Sequence, residues 1–153
     1  MTDLLPAAEG LLDQLHSARI PITVRGMAKQ CWRCGFDDLA VVLVHVTDEF
    51  GVYSVIEACK DTPLAYAREI LVRARHPLIA SIKVRRSKTA RETYLSNGCN
   101  NCDALYGAFG LGEDVAGVQA NEAVASLPIL AETERPEIEW ILLAAERDGL
   151  YDG

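Results

Sequence analysis

Cys31-Trp32-Arg33-Cys34 and Cys99-Asn100-Asn101-Cys102, with residues 35–98 between them, decide how this chain must fold. Each C-x-x-C spacing lets two sulfurs reach one ion from a single tight turn, and two such turns complete the tetrahedron that zinc accepts from soft ligands. The pairs use four of the five cysteines. The expectation is one closed site of Cys31, Cys34, Cys99 and Cys102 holding structural Zn2+, with no open position for water or substrate.

Other uses of four thiols are weaker. A bridge inside C-x-x-C is strained and redox-active rather than structural. Thioredoxin-like chemistry places one C-x-x-C at a helix start within a β-α-β pattern, whereas these two pairs are remote and flanked by strand-like sequence. An iron–sulfur cluster also takes four thiolates, but the simple paired spacing favours zinc.

Working outward, Ile20, Ile22 and Val24 alternate with polar or turn residues and predict a strand that breaks at Gly26 before the first turn. Gly35 follows Cys34 where a knuckle needs a permissive backbone. Asp103 holds the equivalent place after Cys102, and Gly98 precedes Cys99. A different geometry is therefore expected for the second turn, with Asp103–Tyr106 opening a short helix.

Between the pairs, Leu39–Val46 is a nearly continuous apolar, β-branched run and predicts a buried strand, joined through 47–51 as a hairpin to a strand over Val52–Ile56. Thr62-Pro63 predicts an N-cap and a helix to about Arg75 with Leu64, Ala67, Leu71 and Ala74 inward. Leu78–Val84 and Thr93–Leu95 predict further strands. The glycines at 107, 110, 112 and 117 predict a loose stretch from which Phe109 and Leu111 pack on the core, and 119–127 predict a brief helix or strand.

At the ends, Leu4–His16 carries a helical apolar stripe, and Pro136 starts a helix over 137–147 with Ile138, Ile141, Leu142 and Ala145 on one face. Asp148-Gly149 is expected to end that helix. The class expected is α+β: an antiparallel sheet with packed helices, cross-linked by a split four-cysteine zinc site. A length of 153 residues, half of them hydrophobic, suits one globular domain over 1–153. The start lacks the basic and apolar regions of a signal peptide, and no run approaches a membrane span, so a cytoplasmic, non-membrane protein is expected.

The net charge of −7 is unevenly placed. Residues 1–59 carry four Lys/Arg against eight Asp/Glu, residues 60–91 nine against two, and residues 92–153 two against twelve. Arg68, Arg73, Arg75, Lys83, Arg85, Arg86, Lys88 and Arg91 therefore form a candidate nucleic-acid-binding segment over 68–91, although no aromatics interleave with them and the acidic C-terminal third can neutralise them internally. Cys59 and His45 are read as buried core residues. No phosphate-binding loop, H-E-x-x-H, deaminase signature or serine elbow is present.

The patterns Cys31-Trp32-Arg33-Cys34-Gly35 and Tyr94–Gly107 resemble the split zinc-ribbon or treble-clef class, and in particular small uncharacterised bacterial zinc-ribbon proteins. The resemblance implies a metal-binding role for the four cysteines. Lack of glycine after Cys102 departs from the symmetrical ribbon. Together these readings predict a non-catalytic adaptor or protein-interaction module with an unidentified protein partner; nucleic-acid binding through 68–91 is the alternative, and an enzyme with an unrecognised site a further one.

Overall fold

The computed structural model describes residues 18–147. Along them run β1 (Arg19–Gln30), β2 (Asp37–Asp48), β3 (Gly51–Glu57), α1 (Asp61–Arg73), a 3-10 turn (Pro77–Ser81), β4 (Lys83–Ser87), β5 (Glu92–Gly98), β6 (Leu105–Tyr106), α2 (Ala108–Ala120), a second 3-10 turn (Val124–Ser126), β7 (Ile129–Pro136) and α3 (Glu137–Arg147). The class is α+β as expected, with an antiparallel sheet ordered β3-β2-β1-β7 and a smaller one ordered β4-β5-β6. The stripe at 4–16 and the stop at Asp148-Gly149 lie outside the described residues.

β2 explains its own apolar run. Val41, Val44 and Val46 join a core cluster with Leu64 and Leu71 of α1 and Trp140 of α3, while Ala40, Val42 and Leu43 join another with Leu111 and Val115 of α2 and the cysteine turns. A strand covered on both faces has no polar side to alternate. The hairpin expected through 47–51 forms, and its loop is only Glu49-Phe50, because Thr47 and Asp48 pair with Val52 and Gly51.

Several local expectations are corrected. β1 does not break at Gly26; it continues through a bulge there, and a Cβ at Gly26 would lie 2.9 Å from Leu130 Cδ1 and 3.0 Å from the Ala40 carbonyl. Lys60, extended and bridged to Ser96, leads into α1, so Thr62 sits inside the first turn and is not its cap. α1 stops at Arg73 because Arg75 turns left-handed (φ 56°) and the amides of Arg75 and His76 bond the Val72 and Leu71 carbonyls, a Schellman ending that leaves Ala74 exposed.

Leu78–Val84 is not one strand. Leu78 N–H donates to His76 Nδ1, Pro77 occupies the first helical position, and the Ser81 hydroxyl bonds the Leu78 carbonyl, which winds 77–81 into a 3-10 turn before β4. The glycine-bearing stretch expected to be loose is α2, because Leu111 and Val115 lie one turn apart and are fully buried; Phe109 points away and is 82% exposed. Each glycine costs a helix about 1 kcal/mol relative to alanine, less than burial of one such side chain returns.

β7 has no counterpart among the sequence expectations. Glu132 and Glu134 face outward while Ala131 and Arg135 face inward, and Arg135 is held by Glu139 (2.7 Å) and Glu69 (3.0 Å) over the Tyr66 ring. α3 spans the expected residues but buries Trp140 and Leu143, leaving Ile141 and Leu142 largely exposed. The Trp140 indole donates to Ser54 Oγ at 2.9 Å and so sets the helix rotation.

His45 is a satisfied core residue. Arg25 Nε donates to its Nε2 (2.9 Å), which leaves the ring proton on Nδ1, 3.1 Å from the Val46 carbonyl. Burial, aided by the Arg25 charge, holds its pKa below the ordinary imidazole value. The unfolded chain therefore takes up a proton below about pH 6.5 that the folded chain refuses, so this stabilisation is full above about pH 6.5 and is lost as pH falls below it. Urea unfolding is expected to show a loss of up to about 1.4 kcal/mol per pH unit in that window, reduced in His45→Gln; an identical slope in the variant would assign the effect elsewhere.

Candidate metal centre

The sequence places Cys31 just after β1 and Cys99 just after β5, so each turn hangs from the end of a strand in a different sheet. Folding brings all four sulfurs within 4.8 Å of one another. Cys31 Sγ lies 3.5 Å from Cys102 Sγ, and Cys34 Sγ lies 3.6 Å from Cys99 Sγ. Sulfurs about 2.3 Å from a tetrahedral zinc stand about 3.8 Å apart, so the cluster has the size and the donor chemistry for one such ion.

The second turn is a geometric copy of the first, contrary to expectation. Gly35 N–H donates to the Cys31 carbonyl (2.9 Å) and Asp103 N–H to the Cys99 carbonyl (3.0 Å); Cys31 N–H donates to the Phe36 carbonyl (2.9 Å) and Cys99 N–H to the Ala104 carbonyl (2.8 Å). Gly35 has φ 76° and Asp103 φ 68°. Aspartate is among the residues that tolerate this left-handed region, and here its carboxylate is also tied to Lys83 (2.9 Å) and Arg85 (2.6 Å). Those two contacts hold its carboxyl below the usual range. Residues after Asp103 enter β6 and not a helix.

Gly98 serves Arg85. A Cβ at position 98 would fall 2.2 Å from the Arg85 guanidinium, which lies against that backbone while reaching Asp103 and the Ser96 carbonyl.

Amides point at the first sulfur of each pair. Cys31 Sγ accepts from Arg33 and Cys34 N–H (3.4 and 3.5 Å), and Cys99 Sγ from Asn101 and Cys102 N–H (3.3 and 3.4 Å). Burial opposes ionisation of both, but these donors outweigh it: Cys31 titrates below an ordinary thiol and Cys99 is brought down to about 6. Burial and the neighbouring sulfurs push Cys102 up. Asn101 Nδ2 donates to Cys34 Sγ (3.4 Å), and the Arg33 guanidinium donates to the Cys102 carbonyl beside the cluster. Such donors suit a centre that carries two net negative charges when four thiolates hold a divalent ion.

Asp38, which the sequence reading did not single out, fastens the second turn to β2. Its carboxylate accepts from Asn100 N–H (3.0 Å), Asn100 Nδ2 (2.7 Å) and the buried Tyr106 hydroxyl (2.8 Å). Despite partial burial, these bonds keep its pKa below the usual carboxylate value. Asp38→Ala removes the acceptor that orients Asn100 and Tyr106, and is expected to weaken zinc retention about 10-fold or more in chelator competition. An unchanged competition curve would show that the turn holds its shape without Asp38.

Cys59 stands apart, buried with its sulfur 3.5 Å from the Val42 carbonyl; burial pushes its thiol pKa far up, as suits an inert core residue.

The basic segment divides. Arg73 pairs with Glu69, Lys60 with Glu92, and Lys83 and Arg85 with Asp103, whereas Arg68, Arg75, Arg86, Lys88 and Arg91 form no ion pair among the described residues. Beside the metal turns opens a cleft of about 1240 Å³, bounded by the first turn at Trp32 and Arg33, by Arg86 and Lys88 on the β4–β5 hairpin, and by Phe109 at the start of α2. The aromatic residues missing from the basic stretch thus arrive from two remote parts of the chain. Sequence order carries no signal of that meeting.

No family model, curated protein or solved structure matches this chain. No helix among the described residues is long and apolar enough to cross a membrane.

Proposed function

We propose that this chain is a non-catalytic zinc-binding domain whose ion fastens the β1–β2 turn to the β5–β6 turn and so shapes a surface for a partner. The observation that carries the reading is the duplicated knuckle geometry converging four sulfurs within 4.8 Å. Four thiolates fill the tetrahedron, so the ion offers a substrate no position and acts as a cross-link. Free thiols in this number suit a reducing compartment such as the cytoplasm.

Native mass spectrometry of the purified chain is expected to show one zinc per chain, removed by a strong chelator. Iron in its place, with visible absorption, or a metal-free folded chain would overturn the assignment. An adaptor role predicts a protein partner that binds the zinc-loaded chain and not the chelated one. Cations without an ion pair among the described residues and exposed rings sharing the cleft favour a second reading, nucleic-acid binding, in which the hairpin half of segment 68–91 contributes contacts.

A further inference from the structure

We infer that the cleft beside the metal turns binds single-stranded nucleic acid, with bases stacked on Trp32 and Phe109 and phosphates held by Arg33, Arg86 and Lys88. This rests on the zinc reading, because Trp32 and Arg33 belong to the first metal turn.

Trp32 is 69% exposed, yet its indole N–H donates to the Leu105 carbonyl at 2.8 Å. That bond fixes the ring and uses its one polar atom, so what remains to offer a ligand is a flat, held π-face. Phe109, 82% exposed on α2, presents a second ring to the same cleft and has no polar atom at all. Exposed rings in a groove with free cations are the two components of sequence-tolerant single-strand binding: every base has a face to stack, and every nucleotide carries a phosphate. A duplex keeps its base faces covered by stacking and cannot use such rings.

The charges in the cleft support the same ligand. Glu92 is neutralised by Lys60, and Asp103 by Lys83 and Arg85, which leaves Glu57 as the acid without an ion pair among the described lining residues. Against it stand Arg86 and Lys88, exposed and without ion pairs among the described residues, and Arg33, whose guanidinium donates to the Cys102 carbonyl and not to a carboxylate. An acidic peptide shares the charge but has no extended π-face for two rings whose polar edges are absent or already spent.

The footprint is small. About three phosphate contacts on a single strand give a slope of log K against log salt of about −2. The acidic remainder of the chain disfavours contacts beyond the cleft.

The test uses the full zinc-loaded chain, fluorescein-labelled dT15 and U15, the same sequences as duplexes with their complements, and a Glu-rich peptide, at low salt, with zinc content measured on the same sample. Expected results are saturable anisotropy changes with the single strands, the salt slope of about −2, and quenching of tryptophan emission from Trp32, the buried Trp140 being shielded from the ligand. Phe109→Ala should weaken binding about 10-fold and Arg86→Glu with Lys88→Glu should abolish it, both with zinc content and melting temperature unchanged. Trp32→Ala, which also removes the bond to the Leu105 carbonyl, should weaken binding about 10-fold when compared at one zinc per chain. Absence of binding at low salt, tighter binding to duplex or to the peptide, or affinity indifferent to those variants in a chain that holds one zinc would overturn the inference and leave the zinc reading standing. A chain without zinc overturns the reading beneath it.

Discussion

Cys99→Ser is expected to release the metal and to lower stability by about 5 kcal/mol or more, a loss comparable with the whole stability of an ordinary domain. Structural zinc contributes an apparent 10 kcal/mol or more in finger peptides, where no other core exists. Here the loss is spatially divided. Cys31, Cys99, Tyr106, Leu111 and Val115 share one buried cluster, while Leu64, Leu71, Trp140 and Leu143 belong to the other. Hydrogen exchange on the variant should therefore show α2 and both cysteine turns unprotected while α1 keeps its protection. Cys59→Ser, altering a cysteine that takes no part in the cluster, should leave zinc content unchanged. Retention of one tightly held zinc by Cys99→Ser would remove Cys99 from the site.

Asn97→Ala should cost about 2–5 kcal/mol without touching a ligand. Asn97 lies on β5 at 2% exposure, and its side chain imitates a rung of a sheet: Oδ1 accepts from Val41 N–H (2.9 Å) and Nδ2 donates to the Val41 carbonyl (2.8 Å). β3 ends at Glu57, opposite Leu43 and two residues short of Val41, so this amide supplies the pairing that the strand does not reach. Truncation leaves two backbone groups unpaired in the core, each costing about 1–3 kcal/mol. Because Asn97 stands two residues before Cys99, it also fixes the smaller sheet, and the turn at its end, against the larger one. Chemical denaturation reads the stability, and chelator competition should show weaker zinc retention. A change below about 0.5 kcal/mol would mean that water or a shifted β5 satisfies Val41.

What the sequence determined by itself was set by chemistry local to a few residues. C-x-x-C brings two sulfurs together whatever surrounds it, so the four cysteines of the cluster were legible. The apolar run at 39–46 has to be covered on both faces, and the 3.6-residue pattern of α1 has to bury one side; α3 was legible as a helix, but not the face, Trp140 and Leu143, that it buries. The tertiary structure alone decided the rest, because the deciding interactions join residues far apart in the chain. Asp103 takes the conformation expected of glycine because Lys83 and Arg85 hold its carboxylate, and Gly98 is needed for the Arg85 guanidinium and not for the turn. β7, with its charged residues, is a strand because β1 offers it an edge and Glu69 and Glu139 neutralise Arg135. The glycine-rich α2 is a helix because the sheet and the metal turns give Leu111 and Val115 somewhere to go. The cleft follows the same rule: Trp32, Arg86 and Phe109 belong to three separate segments, and contacts between the two cysteine turns, the four sulfurs and the Trp32–Leu105 bond among them, bring the first of them to the other two.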